Sequence, residues 1–155
     1  MSSDQAVYDD SLTPEQTRTL RFFSASKRGQ VLEIQELLNE DSKFDVLQLD
    51  EFGNNALHWA AGAGHLECVK YLVETLKLPL DNTNKFGDTP LHKATWRGAL
   101  DVVKYLVEKD AKLDIANSQN KRPVDLAHHL EVKSYLQSYE GDDEDYDEEE
   151  DEEED

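Results

Sequence analysis

Cysteine is almost missing from this 155-residue chain: Cys68 stands alone. That excludes an intramolecular disulfide and any zinc site built from several thiolates. Basic residues are scarce too, 16 Lys and Arg against 35 Asp and Glu, for a net charge of −19. A direct role on nucleic acid is therefore not expected, because phosphates would be repelled. No apolar run approaches 18 residues, so no membrane span is expected. The opening MSSDQAVYDD has neither the basic nor the apolar part of a secretory signal. The expected setting is a reducing compartment, the cytosol or nucleus, although no Lys/Arg cluster argues for active nuclear import. GxGxxG, GxxxxGK(S/T), HExxH and GxSxG are all missing. Nothing arranges Ser, His and Asp for catalysis, so no enzyme, cofactor or metal is expected.

What is there falls into two parts. Residues 142–155 read DDEDYDEEEDEEED, thirteen acids in fourteen positions. They carry −13 of the charge and leave −6 on residues 1–141. With one apolar group and strong self-repulsion, residues 140–155 are expected to be disordered. A calcium loop would need spaced ligands and a glycine that this run lacks. A polyanion suits shielding of a basic protein surface and faster encounter with it. A tail serving solubility alone is the plainer reading.

The body repeats itself. GNNALHWAAGAGHLECVKYLVE at 53–74 and GDTPLHKATWRGALDVVKYLVE at 87–108 align without gaps at an offset of 34. RPVDLA, at 122–127, follows TPLHKA by 33, and Tyr135-Leu136 follows Tyr105-Leu106 by only 30, so the last unit is shortened. At the other end, Ala25 and Gly29 precede Ala60 and Gly64 by 35. Four units result, roughly 20–49, 50–83, 84–116 and 117–139, within a domain spanning 13–139. The outer two are degenerate, as end caps packing on one neighbour should be. Residues 1–12 show no periodicity and are expected to be flexible.

Local chemistry agrees. Thr89-Pro90 can open a helix, and Gly98 sits where the chain turns back between two helices. Leu100, Val103, Leu106 and Val107 recur at helical spacing, as do Leu66, Val69, Leu72 and Val73. Thr13-Pro14-Glu15-Gln16 reads as a capping box opening a helix through about Ser26, with Leu20 and Phe23 inward. Residues 39–50 form a long junction, and Pro79 marks a second irregular one. Cys68 is expected to act as a small, partly buried hydrophobe.

TPLHKA, the near-match NALHWAA, the following glycine and the apolar helix after it resemble the ankyrin repeat over roughly 115 residues. The resemblance implies an all-α solenoid of about four stacked helix-turn-helix units with degenerate end caps. It implies that His58 and His92 order the turns by bonding loop backbone, and that His65 occupies the turn between helices. His128-His129 is expected at the surface. It also implies that partners are held by the turn tips and the exposed side of each first helix. Carried over, those positions are Lys27 and Arg28, then Glu51, Phe52, Asn54 and Trp59. They continue with Lys85, Phe86, Asp88, Lys93, Trp96 and Arg97, and end with Ser118, Gln119 and Lys121. Aromatic and arginine side chains dominate binding hot spots, which singles out Trp96 and Arg97. For Phe52 and Phe86 two roles stay open: contact with a partner, or packing on each other between adjacent tips.

A short stack with a polyacidic tail is similar in architecture to small ankyrin proteins that chaperone newly made ribosomal proteins. The expected partner is accordingly a basic protein, ribosomal or histone-like, and the free protein is expected to be a monomer. The rival expectation is a regulatory adaptor or inhibitor of an enzyme or transcription factor, with the tail serving solubility.

Overall fold

The computed structural model describes residues 11–139, and the expected disordered acidic tail lies outside them. Helix α1 spans Pro14–Arg28 and α2 Val31–Glu40. Then come α3 (Ala56–Ala63), α4 (Leu66–Lys70), α5 (Pro90–Arg97) and α6 (Leu100–Glu108). A 3-10 turn at Pro123–Leu126 and helix α7 over residues 130–139 complete the series. No strand occurs among the described residues. The architecture is the expected all-α solenoid: α1, α3, α5 and the 3-10 turn pack in succession as an inner layer.

Each inner helix starts on a side-chain cap. Thr13 Oγ1 accepts from Gln16 N–H (3.1 Å), and Gln16 Oε1 accepts from Thr13 N–H (2.9 Å), closing the anticipated capping box. Asn55 and Thr89 do the same for α3 and α5, with a histidine in place of the glutamine. Gly98 ends α5 at φ 82, the left-handed turn-back expected there. The inward face of α1 differs from expectation. Leu20 is 41 % exposed, whereas Phe22 and Phe23 are buried. Phe22 is drawn inward by the long junction, where Phe44 meets it edge-on at 5.1 Å.

The hexapeptide VKYLVE occurs twice and is wound in two ways. At 103–108 it is α-helical. At 69–74 the α-turns give way to a π-turn over Tyr71–Thr75. The cause lies beyond the hexapeptide. Leu106 O accepts from Ala111 N–H (3.0 Å), but its counterpart Leu72 O accepts from Leu78 N–H (3.0 Å), one residue further along. Leu78 is buried, so the extra residue must be taken up before it, and the wide turn does so.

The fourth unit departs from the helix-turn-helix expectation. Its inner helix shrinks to the 3-10 turn, which accounts for the offset of 30. The core runs through all four units, with Phe22, Ile34, Leu37, Leu57, Leu72, Leu91, Leu106 and Leu136 fully buried. Cys68 is wholly buried rather than partly so, and burial pushes its thiol up to about 11. Native protein at pH 8 should therefore resist a thiol-specific reagent, and label only as fast as it unfolds. Prompt stoichiometric labelling under native conditions would contradict this burial.

Candidate functional site

The turn tips are built by a five-residue device: Asp50–Asn54, Asn84–Asp88 and Asn117–Lys121. In each, the first side chain folds back on the backbone. Asp50 Oδ1 accepts from Phe52 N–H (2.9 Å) and Asn54 N–H (2.8 Å). Asn84 and Asn117 repeat the pattern on Phe86 and Asp88, and on Gln119 and Lys121. Adjacent tips are then joined by backbone. Lys85 N–H donates to Phe52 O and Ser118 N–H to Phe86 O, both at 2.9 Å. Side chains add parallel rungs: Asn84 Nδ2 donates to Asn54 Oδ1 and Asn117 Nδ2 to Asp88 Oδ1, both at 2.8 Å.

This ladder revises two expected contact residues. Asn54 is buried, and Asp88 commits its carboxylate to the next tip. Both are spent on holding the units together. The signal was present in sequence, since DEFGN, NKFGD and NSQNK recur at offsets of 34 and 33. An Asx three residues before the glycine, or before Asn120 at φ 62, marks the device.

His58 and His92 serve the same end. The Nδ1 of His58 accepts from Asn55 N–H (3.1 Å), which leaves Nε2 to donate to Asp88 O (2.9 Å). His92 repeats this on Thr89 N–H and Lys121 O, each at 2.9 Å. Both rings are buried and bridge to the following tip. Burial holds the His58 imidazole below its ordinary range, with the Asp88 carbonyl pulling weakly the other way. The folded value thus lies below the unfolded one, near 6.5. Stability from this group is full above that value and is lost as pH falls through the window beneath it. The thermal midpoint should fall more between pH 7.5 and 5.5 in the wild type than in His58→Gln, which shares every other charge. Equal slopes in the two proteins would refute a buried neutral imidazole.

Along the exposed side of the inner layer the side chains meet one another. Lys27 Nζ lies 5.2 Å from the Trp59 ring centroid. Trp59 is half-buried, and its Nε1 donates to Asp50 Oδ2 (2.9 Å), which fixes the indole. One helical turn on, Gly62 leaves room for Lys93, whose Cβ would stand 3.4 Å from an added Cβ. Trp96 occupies the place in α5 that Gly62 holds in α3, and its indole is 61 % exposed. His128 meets Trp96 edge-on, centroids 4.7 Å apart, and His129 follows at 4.8 Å. Arg97 reaches back to within 3.9 Å of a Cβ built on Gly64. The result is a strip from the first unit to the fourth.

Arg28 is tied back to Glu33 (3.0 Å). Among the described residues, Lys27, Lys85, Lys93, Arg97 and Lys121 have no carboxylate within ion-pair distance. Phe52 and Phe86 stack with centroids 6.3 Å apart and remain 47 % and 54 % exposed. They pack on each other and still present a face to solvent. Glu51, Ser118, Gln119 and Lys121 are exposed at the tips. His128 joins the strip only because the fourth unit is shortened, which sequence position does not reveal. Among the described residues no group of three or more metal-ligating side chains forms, and no helix is long and apolar enough to cross a membrane.

Comparison with known proteins agrees with this geometry. Residues 22–117 match the model of ankyrin repeats in three copies. Osteoclast-stimulating factor 1 of Monopterus albus is 47% identical over 117 residues, 76% of this chain and 54% of that protein. The Bos taurus protein of that name is 45% identical over 119 residues, 77% and 55% of the two chains. That of Gallus gallus is 48% identical over 113, 73% and 55%. The chain spans about half the length of the curated relatives it matches.

Proposed function

The chain belongs to the ankyrin-repeat family, a protein-interaction fold, and on that premise we propose that it escorts a basic protein such as a newly made ribosomal protein. The strip and tips grip one segment of the client. The acidic tail covers the client's basic surface and keeps nucleic acid off it. The work is done in the cytosol or nucleus, by a monomer that meets its client one to one.

The observation that carries the binding role is the Trp96 indole, 61 % exposed on the strip and next in sequence to Arg97. An exposed tryptophan contributes little to folding, and large aromatic groups beside arginine are what protein interfaces use as anchors. The charge of the strip also supports a second reading, an adaptor or inhibitor. Unpaired lysines and an arginine fit an acidic segment of an enzyme or transcription factor as well as an acidic stretch within an otherwise basic client.

Affinity capture from lysate separates the two, using the full chain and a full-length variant with its tail acids changed to Asn and Gln. Salt-sensitive, tail-dependent recovery of one ribosomal protein or histone supports the escort. Tail-independent recovery of a kinase or transcriptional regulator replaces it with the adaptor.

A further inference from the structure

We propose that the strip has a resident occupant, the chain's own residues 142–155, and that a client gains the strip by drawing this segment away. Three observations support it. First, Lys27, Lys93, Arg97 and Lys121 lack carboxylate partners among the described residues, although the chain carries more than twice as many acids as bases. A row of cations left open in so acidic a protein is where its surplus anions are drawn.

Second, α7 delivers the chain beside one of them, Lys121. Gln137 lines a cleft of ≈ 340 Å³ together with Lys121, Lys133 and the Arg122–Asp125 pair. The last described residue, Tyr139, is two positions further on, and Lys121 belongs to both the cleft and the tips. Third, the length suffices. The sixteen residues after Tyr139 reach at most about 55 Å when extended. Four units stacked at about 10 Å span roughly 30 Å, so the segment can pass Lys121 and still reach Lys27.

Tethering gives the segment an effective concentration on the order of millimolar at the strip, with no need for tight intrinsic binding. A basic client removes it by offering a denser positive surface. Admission to the strip then requires two features of one partner: a basic surface for the tail and a complementary segment for the strip. An acidic peptide alone must compete with thirteen tethered carboxylates. The inference rests on the strip being a binding surface, yet its test uses no client, so it can fail while the escort reading stands, and the reverse.

The probe is a labelled synthetic peptide of residues 141–155. Its binding is followed by anisotropy at low salt. The tail-neutral full-length variant should bind it, and wild type should bind at least about tenfold more weakly, since its own tail competes. Lys93→Glu with Arg97→Glu on the tail-neutral background should abolish binding while leaving the circular-dichroism spectrum that of the folded helical protein, since neither side chain belongs to the apolar core. Trp59 and Trp96 are the only tryptophans and both lie on the strip, so emission reports occupancy without a label. Raising salt from about 20 to 500 mM should shift the emission of wild type but not of the tail-neutral variant, because screening shortens to a few ångströms. Polylysine at low salt should reproduce that shift in wild type. Equal peptide binding by wild type and tail-neutral protein overturns the inference, as does binding that survives the double charge reversal.

Discussion

Replacing Trp96 and Arg97 together by alanine should weaken the client complex by at least about 2 kcal/mol, some thirtyfold, and leave the fold intact. The indole is 61 % exposed and meets the His128 ring, which is itself at the surface. Arg97 has no ion pair among the described residues, so its removal orphans nothing. Trp59→Ala differs in kind. Its indole bonds Asp50, the residue that folds the tip of the second unit, so some stability should be lost along with affinity. Calorimetric titration with the captured client, beside thermal melts of the same proteins, separates these effects. Full affinity in the double variant would move the binding surface off the strip.

The largest effect on stability is expected from Gly87→Ala. Gly87 holds φ 79, and an added Cβ would stand 2.9 Å from both Asn117 Cα and Ser118 N. Left-handed backbone costs a non-glycine residue about 1–2 kcal/mol. Here the contacts are backbone as well, so the rung from Ser118 N–H to Phe86 O must stretch or break. A total of about 2–4 kcal/mol follows, or a midpoint lower by roughly 6–12 °C. Gly53→Ala is the internal control. It has the same φ, but its nearest backbone neighbour is Lys85 N at 3.1 Å, so about half the loss is expected. Because the damage sits at one junction of a linear stack, the fourth unit should come loose before the rest. Hydrogen exchange should find α7 deprotected in Gly87→Ala while α3 stays protected. Uniform loss of protection would show that the units do not separate.

Much of this arrangement is legible in the sequence because two units are nearly identical, and two copies in register leave little freedom in the offset. The histidine roles follow as well, since a buried imidazole with one backbone donor and one backbone acceptor repeats with the unit. What escapes is set by contacts between units rather than within one. Asn54 and Asp88 are polar residues beside a glycine, which reads as exposed turn, and only the neighbouring tip reveals the rungs. The π-turn escapes because the same six letters are α-helical elsewhere, and the deciding residue is Leu78, four positions beyond them. Leu20 and Phe22 exchange places because Phe44, from the long junction, selects which side of α1 is covered. On the strip, Trp96 and Arg97 could be marked from the contact positions that the family resemblance implies, together with residue type. His128 needed the missing turns of the fourth inner helix to bring it within reach.

The rungs also determine where the stack stops. Asn54 and Asp88 each present an oxygen to the amide of the next tip, but the corresponding residue of the last tip is Lys121, which has only donors to offer. A further repeat whose tip opened on asparagine, as the third and fourth units' tips do, would meet an ammonium group where it needs an acceptor. The ladder thus ends at the fourth unit on a side chain that cannot continue it. Lys121→Asp would restore the acceptor, and with it the rung that an added repeat needs.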